Sequence, residues 1–570
     1  MEADHWQAGA GKREIVFEGE GFGMMGYGRA EHVIRARSTP LYSRAFCFIG
    51  RDGAPLFFAQ AEICMVFPEL KRALLERLGA SYPGVFRDER LLLCSQHTHS
   101  APGGYSHFPF YNISIPGFRP QVFEGIVASL AGALEDAWLR RQPALLKFGH
   151  GDFPDDADVA FNRSIVAYNR NPGVAAQAAR DAHRAIERTM WLLSAQTPDG
   201  RPIGQINWFG VHPTSISNKN RFVSYDNKGY AADYLEAELG HGAIAIFAQQ
   251  FAGDVSPNAQ SPDKGWPHGR YADDVESAQF NGRLQCEQAQ RILAELQTAA
   301  PLAPGTTDAL LARRDFADVE VDADFAGGVR GERTSAPCHG LAFFAGSPVD
   351  GPGAPAPVVA LLGQFARLAR WRELRAARQA GGAALAAVEA KYRAQAPKLI
   401  VAETALGKVV GITRLRRLPG FLDKMVAELR RQEESGALDE KPWVPSVLPL
   451  QVWRLGPLAL IGFPGEITTE AGRQLRALGR ELLAPLGVTD VVVSSYANSY
   501  FGYCTTWHEY QAQQYEGGHT TFGSRTHDAF RTEYRRLLRE FARAPAERRP
   551  ADTPEQTFSA ATLALRTVGS

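Results

Sequence analysis

Residues 94–104 read Cys-Ser-Gln-His-Thr-His-Ser-Ala-Pro-Gly-Gly, and they follow directly on the apolar run Leu91-Leu92-Leu93. Alternate side chains of an extended chain leave on the same face, so His97 and His99 can both reach one cavity at the end of a strand. Neutral imidazole is a common ligand of Zn²⁺. A lone His-x-His pair is more often an incidental feature of a surface loop, so the interpretation as a metal site depends on the rest of the chain.

The composition predicts a folded globular protein. The chain has 570 residues, of which 45% are apolar and 10% aromatic, enough for a large buried core. The chain has 62 basic and 62 acidic residues, so its net charge is zero and no long-range electric field favours binding to nucleic acid or to an anionic membrane surface. The six cysteines are scattered and none has Cys-x-x-Cys spacing, so we expect no disulfide framework.

The sequence contains no recognisable targeting or membrane-spanning segment. Its first residues, Met1 to Trp6, lack the basic start and apolar stretch of a secretory signal, and no window approaches ~20 uninterrupted apolar residues. We therefore expect a cytoplasmic protein without a stable membrane anchor. The pattern leaves the oligomeric state open.

Strand-like and helix-like segments alternate over the first 250 residues, which predicts a mixed α/β (α+β) fold. We predict strands at 54–59, 144–149, 190–196, 203–210 and 243–249, and helices at 67–79, 120–140, 276–299 and 530–541. One catalytic domain is expected over residues 1–540. Within it, the Ala- and Arg-rich stretch 366–396 predicts a solvated helical hairpin or a flexible insertion without catalytic residues. Residues 541–570 form a tail whose alternation from Thr557 predicts an edge strand.

Four further segments place polar reactive residues beside glycine or proline in apolar surroundings, as is typical of loops shaped around a site. His212 ends a strand in residues 207–214, and Ser256 lies in a tight turn between Gly253 and Pro257. Glu466 follows the apolar strand 458–463. The fourth segment, residues 500–506 with 514–518 behind it, offers the phenols of Tyr503 and Tyr515 in a glycine-containing context.

Together with the His-Thr-His segment, these four resemble in the same order the catalytic domain of the neutral, non-lysosomal ceramidases, a family of zinc amidases. The resemblance also covers residues 23–28, 162–164, 226–232 and 496–500, and spans roughly residues 15–535. It implies the mixed α/β fold of that domain. Such ceramidases usually carry a further immunoglobulin-like domain of ~100 residues, and since only about 35 residues follow the last matched segment, we expect it to be absent.

The resemblance implies that Zn²⁺ is held by His97, His212, Glu466 and Tyr503. Two neutral imidazoles with oxygen donors leave the ion a strong Lewis acid with room for water or a carbonyl oxygen. From the residues alone, two alternatives remain open. Tyr503 could be a buried aromatic with a hydrogen-bonded hydroxyl, and Glu466 could cap the helix that continues through Ala471.

The same resemblance places His99, Arg163, Ser256 and Tyr515 around the substrate amide. Amide hydrolysis needs a nucleophile, stabilisation of the oxyanion and a proton for the departing amine. A metal-activated water supplies the nucleophile, Tyr515 and His99 stabilise the oxyanion, and Arg163 offers donors to substrate hydroxyls or to the developing charge.

Ser256 and Arg163 also have other readings. Ser256 could be a covalent nucleophile or a group that orients the amide and water, and we favour orientation because a metal-activated water makes a second nucleophile unnecessary. Outside the resemblance, Arg163 could form a structural ion pair and Ser256 could be a turn residue. Asp254 could orient a ligand or belong to the turn.

We expect His508, His519 and His527, which lie near Tyr503 in the sequence, to be surface histidines rather than ligands.

We therefore predict a zinc-dependent amidohydrolase of sphingolipid metabolism that cleaves the N-acyl amide bond of ceramide or a related lipid amide. An alternative is an intracellular ceramidase-like hydrolase, acyl-transfer enzyme or cyclase of secondary metabolism, acting on a polyketide-like or acyl-amine substrate. The expected lack of a signal and of the C-terminal domain motivates it. A remote alternative is an inactive lipid-binding homologue.

Overall fold

The protein is represented by a computed structural model that describes residues 5–261, 266–347, 349–415 and 424–568. Its strands are β1 (Trp6–Glu14), β2 (Ala36–Arg37), β3 (Tyr42–Ile49), β4 (Pro55–Ala61), β5 (Leu91–Ser95), β6 (Gln142–Asp152), β7 (Phe161–Asn162), β8 (Thr189–Gln196), β9 (Pro202–Trp208), β10 (Phe222–Val223), β11 (Ile244–Ala248), β12 (Val255–Ser256), β13 (Thr307–Asp315), β14 (Cys338–Gly340), β15 (Gly346–Ser347), β16 (Gly351–Pro352), β17 (Ile400–Glu403), β18 (Lys408–Val409), β19 (Val447–Leu455), β20 (Leu458–Gly462), β21 (Glu466–Ile467), β22 (Asp490–Ser494) and β23 (Tyr503–Cys504). Its helices are α1 (Pro68–Ser81), α2 (Pro120–Leu139), α3 (Ile165–Tyr168), α4 (Asp226–Leu239), α5 (Asp274–Glu295), α6 (Leu341–Ala345), α7 (Ala356–Ala380), α8 (Gly382–Ala394), α9 (Lys424–Glu434), α10 (Thr469–Leu483), α11 (Trp507–Tyr510), α12 (Tyr515–His519), α13 (Thr526–Phe541) and α14 (Ala560–Arg566).

The largest sheet has eight strands in the order β11-β9-β8-β6-β1-β3-β4-β5. Its central strands pair antiparallel, while the outer pairs β4–β5 and β9–β11 are parallel. The strands of a parallel pair end at the same edge of a sheet, so the segments that follow them start close together. This geometry sets where the polar loops after β5, β9 and β11 begin.

A four-stranded sheet, β13-β19-β20-β22, packs face to face on the large one through a shared apolar core. The Phe58 ring joins the two layers, since its centroid lies 5.7 Å from that of Trp208 and 6.5 Å from that of Trp453. Helices cover the outer faces, with α1, α2, α4 and α5 beside the large sheet and α10 and α13 beside the small one. The predicted mixed α/β fold class is confirmed.

The side chain and backbone of Gln249 connect the ends of four strands from both sheets. Its Nε2 donates to the carbonyl oxygens of Gln96 (3.1 Å) and Val211 (2.8 Å), which follow β5 and β9. Its backbone carbonyl, just after β11, accepts from the backbone N–H of Ser495 (3.2 Å), which follows β22. Loops that are distant in sequence therefore meet at one end of the two-sheet core.

The strands and helices predicted from periodicity are present, with bounds that differ by a few residues. All six cysteines are free and buried. The predicted edge strand after Thr557 is wrong, because Ala560–Arg566 form helix α14, and of the tail as far as residue 568 only Thr567 makes a bridge, to Phe118. The Ser559 side chain caps this helix by accepting from the backbone N–H of Thr562. This local helix signal was overlooked because the apolar residues after Thr557 alternate as in a strand.

The stretch predicted as a helical hairpin or flexible insertion folds as the antiparallel pair α7 and α8, which begins before the predicted bound, at Ala356. Gly381 and Gly382, with φ of 63° and 55°, make the reversal between them, a conformation that residues with a Cβ rarely adopt. In the described part of the chain, no helix combines the length and apolar character needed to cross a membrane.

His527 makes stability dependent on pH. Its Nε2–H on α13 donates to the Ala471 carbonyl of α10 (2.9 Å), and burial, with the nearby Arg531, lowers the pKa of this imidazole to about 3. The unfolded chain takes up a proton near pH 6.5 while the folded chain stays neutral, so the stabilisation is complete above that pH and is lost as the pH falls towards 3. Between pH 7 and 5.5, we expect the native protein to lose about 1 kcal/mol more unfolding free energy than His527→Gln.

Denaturant unfolding at each pH measures this difference, with replacement of the exposed His5 by Gln as the control. Parallel pH profiles for the native protein and the His527 variant would contradict the assignment.

Candidate metal centre

His97 projects from the end of β5 in a conformation that the surrounding backbone enforces. Its φ is 82°, which costs a non-glycine residue on the order of 1–3 kcal/mol. The backbone N–H donates to the Ile63 carbonyl (2.9 Å), and the ring Nδ1–H donates to the Cys64 carbonyl (2.7 Å). Because Nδ1 carries the proton, Nε2 presents an unprotonated lone pair to the interior.

His212 follows β9 and is held in the same manner. Its Nδ1–H donates to the Val255 carbonyl (2.9 Å), and its side chain is fully buried. Nε2 therefore offers a second inward lone pair. The Val255 carbonyl also accepts from the backbone N–H of His212 (3.2 Å), so the strand β12 fixes both the backbone and the ring of this residue.

The carboxylate of Glu466 lies between the two imidazoles. Its Oε1 is 3.4 Å from Nε2 of His97, and its Oε2 is 3.0 Å from Nε2 of His212. The hydroxyls of Tyr500 and Tyr496 donate to Oε1 (2.5 Å) and Oε2 (2.9 Å). Burial raises the pKa of this carboxyl, whereas positive charge on the two histidines outweighs burial and holds the pKa well below its usual range, so the ionised carboxylate requires positive charge beside it. Glu466 therefore contacts the two histidines and two tyrosines rather than capping the helix that follows it.

Tyr503 joins the cluster through a short parallel pairing that sets it beside Glu466 on adjacent strands, β23 and β21. Its hydroxyl is 3.3 Å from Nε2 of His212 and accepts from Nη2 of Arg163 (3.1 Å). The residue is buried, and burial raises the pKa of the phenol well above its usual value. The structure thus brings together all four side chains that the sequence suggested as ligands.

The donor set fits a divalent metal ion. Donor atoms around a tetrahedral Zn²⁺ at 2.0–2.1 Å lie about 3.3 Å from one another. The carboxylate oxygens lie 3.4 Å and 3.0 Å from the two Nε2 atoms, and the phenol lies 3.3 Å from Nε2 of His212, which are similar spacings. Two unprotonated nitrogens facing a buried carboxylate repel it unless a cation or proton lies between them. The arrangement of His97, His212 and Glu466 is therefore that of a cation site.

Cys64 was not singled out by the sequence but forms a second candidate group with His97 and His99. Burial raises the pKa of its thiol well above its usual value, and metals bind the thiolate. Since the carbonyl of the same residue already fixes the ring of His97, we assign Cys64 to positioning. The set that contains Glu466 is the better metal site because a carboxylate ionises far more readily than the buried Cys64 thiol.

His99 lies at the rim of this cluster. Its Nε2 is 3.2 Å from Nε2 of His97, and the ring meets Tyr27 edge-on with centroids 4.6 Å apart. Burial lowers the pKa of this imidazole well below its usual value, and its Nδ1 has no hydrogen-bond partner among the described residues. Gly26 packs directly against it, since a Cβ there would lie 2.5 Å from the ring.

The guanidinium of Arg163 is largely committed to protein acceptors. It donates to Oε1 of Glu516 (2.9 Å), Oδ2 of Asp350 (2.6 Å), the Gly253 carbonyl (2.8 Å) and the Tyr503 hydroxyl (3.1 Å). Four of its five N–H groups are thereby used. The resemblance implied that Arg163 lies beside the substrate amide. Its contacts leave one N–H for such a role, and they also hold the Tyr503 hydroxyl.

Asp350 is a site residue that the sequence analysis missed. Its Oδ1 accepts from the hydroxyls of Ser256 (2.6 Å) and Thr214 (3.0 Å), and its Oδ2 accepts from Arg163. Burial raises the pKa of this carboxyl, but Arg163 outweighs burial and lowers it. Asp350 lies in a Gly- and Pro-rich stretch that resembles a linker, and its standing as the single charged residue there was the only available signal.

Tyr515 begins α12 beside the cluster, and its ring meets that of Tyr503 edge-on, with centroids 5.4 Å apart. Burial raises the pKa of its phenol, so the hydroxyl keeps its proton at neutral pH. The expectation of surface histidines is wrong for His519 and His527, which are buried because α12 and α13 pack inward, while His508 is half-buried.

The hydrogen bond from Tyr496 to Glu466 provides a test of the metal centre. We expect Tyr496→Phe to weaken metal affinity by about 10–100-fold, since partners of metal ligands have effects of that size, and His212→Ala to abolish stoichiometric binding. Elemental analysis and competition with a chromophoric chelator measure both. Tyr534→Phe is the matched control, because this buried hydroxyl donates to the Gly462 carbonyl away from the cluster. Equal affinities for the Tyr496 and Tyr534 variants would refute this assignment.

Comparisons with known proteins point to one family. The family model described as neutral/alkaline non-lysosomal ceramidase, N-terminal, matches residues 6–411 and 433–532. A neutral ceramidase of Pseudomonas aeruginosa is 31% identical over 557 residues, which cover 96% of this chain and 73% of that protein. A crystal structure of neutral ceramidase from the same organism superposes with a TM-score of 0.76 at 28% identity, covering 97% of this chain and 76% of that one. A structure described as ceramidase complexed with C2 gives a TM-score of 0.77 at 29% identity, covering 97% and 77%.

Proposed function

The chain belongs to the neutral/alkaline non-lysosomal ceramidase family, and from that premise we propose that it is a zinc-dependent amidohydrolase. Its reaction in this proposal is hydrolysis of the N-acyl amide bond of ceramide or a related lipid amide to a fatty acid and an amino alcohol. The observation that carries the proposal is the convergence of two unprotonated imidazole nitrogens on one buried carboxylate.

In this proposal His97, His212, Glu466 and Tyr503 hold the zinc ion. Backbone carbonyls fix the orientation of both imidazoles, and two tyrosine hydroxyls fix that of the carboxylate. The ligands therefore reorganise little when the metal binds. When bound, Zn²⁺ supplies a Lewis acid that polarises a carbonyl oxygen and lowers the pKa of water to about 7.

Tyr515 and His99 act on the substrate carbonyl. Tyr515 remains protonated at neutral pH, so its hydroxyl donates a hydrogen bond to the oxygen as negative charge develops. His99 is neutral and has one ring nitrogen without a partner among the described residues, which suits it to donate to the oxyanion.

Arg163 is a positioning residue in this scheme. It holds the Tyr503 hydroxyl, and its guanidinium carbon lies 5.5 Å from the centroid of the Tyr515 ring. Its charge is balanced by Asp350 and Glu516, so the three groups form a rigid buried network beside the metal centre.

Ser256 orients the amide and water rather than attacking. Its hydroxyl donates to the Asp350 carboxylate (2.6 Å) and accepts from the backbone N–H of Asn258 (3.1 Å). A covalent serine nucleophile needs a base that removes its proton, usually an imidazole, and the carboxylate here is held ionised and weakly basic by Arg163.

The purified protein should release fatty acid from an N-acyl sphingosine dispersed in detergent. We expect a strong chelator to stop the release and added zinc to restore it, with fatty acid measured by mass spectrometry. Protein that holds stoichiometric zinc yet releases no fatty acid from any N-acyl sphingoid or N-acyl amine would rule out the proposal.

Two substitutions separate the roles of the hydroxyl groups. We expect Tyr515→Phe to lower kcat by about 10²–10³-fold with a small change in KM, as for loss of an oxyanion donor. Ser256→Ala should retain measurable turnover without a burst of covalent intermediate. Tyr82→Phe, at the end of α1, is the matched control. A burst in the native protein, together with complete loss of turnover in Ser256→Ala, would instead make Ser256 the nucleophile.

A further inference from the structure

Helix α7 carries an exposed apolar stripe. Its members recur every three or four residues on one face, and each is between 38% and 55% exposed: Val358, Leu361, Phe365, Leu368 and Trp371. The opposite face, with Gly363, Ala366 and Ala377, is buried against the rest of the protein. Large apolar side chains grouped in this way are unusual on a free surface and mark a docking face.

The same face continues into a basic groove. Arg375 and Arg378 extend the spacing of the stripe by about two further turns. Together with Arg367, Arg370 and Trp371 they line an open groove of about 960 Å³. The apolar stripe and the basic groove therefore meet at Trp371 and form one surface.

The groove arginines are not neutralised from within. No carboxylate of the described residues pairs with Arg367, Arg370, Arg375 or Arg378 in the structure. The one acidic residue of α7, Glu373, is instead bound by Lys391 (2.6 Å) and by the Tyr392 hydroxyl (2.7 Å). Residues 356–394 hold seven Arg or Lys against two Glu, so a neutral chain carries a strongly basic local surface.

This surface lies close to the metal centre. Helix α6 packs between α7 and α12, and its Phe343 stacks on Tyr515 with ring centroids 5.8 Å apart. The segment that joins α6 to α7 contains Asp350, which binds both Arg163 and Ser256. A ligand that docks on α7 is therefore separated from the site by one short helix.

We propose that α7 docks on an anionic lipid surface. Its apolar half enters the boundary between headgroups and acyl chains, and the arginines of its second half bind lipid phosphates. An apolar stripe that runs into arginines without carboxylate partners among the described residues complements such a surface at both ends, whereas a purely apolar partner would leave the arginines without counter-charges. The attraction acts within about a Debye length, ~8 Å at physiological salt, which is compatible with a net charge of zero.

Binding to vesicles tests this inference without requiring any hydrolysis, so its failure is distinct from failure of the proposed function. The probes are vesicles of phosphatidylcholine with 30% phosphatidylglycerol, and of phosphatidylcholine alone, in a sedimentation assay. We expect the triple variant Arg370→Gln, Arg375→Gln, Arg378→Gln to bind the anionic vesicles at least about tenfold more weakly than the native protein. The matched control removes three exposed arginines from other helices, Arg291, Arg480 and Arg539, and should bind like the native protein.

A second variant tests the apolar half. Phe365→Ser with Trp371→Ser should abolish the part of binding that survives high salt, with unchanged metal content and thermal midpoint, because both side chains are exposed. Equal binding of the native protein to both vesicle types would overturn the proposal, as would equal loss in the triple variant and its control. A native dimer that this double variant dissociates, with no vesicle binding, would assign the face to a second copy of the chain instead.

Discussion

A buried carboxylate between two unprotonated imidazole nitrogens is the constraint on which the centre of this protein depends. Glu466 is ionised and lies 3.0 Å from Nε2 of His212 and 3.4 Å from Nε2 of His97. Like-signed lone pairs at these distances in a dry interior repel each other unless positive charge lies between them. The Cys64 and Val255 carbonyls accept the Nδ1 protons of His97 and His212, so neither ring can rotate its Nε2 away from the carboxylate. The fold therefore holds the donor atoms in place for a cation.

The two packed sheets explain how such distant residues meet. Strands from both sheets end on one side of the core, and Gln249 bonds to three of the loops that follow them. The strained backbone of His97, with φ of 82°, persists because the Ile63 and Cys64 carbonyls hold both its N–H and its ring. These hydrogen bonds fix the positions of the donor atoms relative to the two sheets, as is required of a site that binds metal and substrate in a defined geometry.

Local patterns predicted the fold class and several of the longer elements, because apolar periodicity in strands and helices is set by neighbouring residues. The donor residues could be proposed through motifs and their order. Asp350 could not, since its importance comes from contacts with residues far away in sequence. Burial of His519 and the helix at 560–566 depend on packing and capping that alternation does not encode. Likewise, the net charge of zero concealed the basic surface of α7, because counting charges over a chain discards their positions.

The most direct test of the central claim is an anomalous diffraction map of crystals of the metal-loaded protein, collected on both sides of the zinc absorption edge. We expect one strong peak, present only above the edge, within about 2.0–2.3 Å of Nε2 of His97, Nε2 of His212, the Glu466 carboxylate and the Tyr503 hydroxyl. A peak bound by Cys64 and His99 instead, or a metal-loaded crystal with no peak between these four side chains, would contradict it.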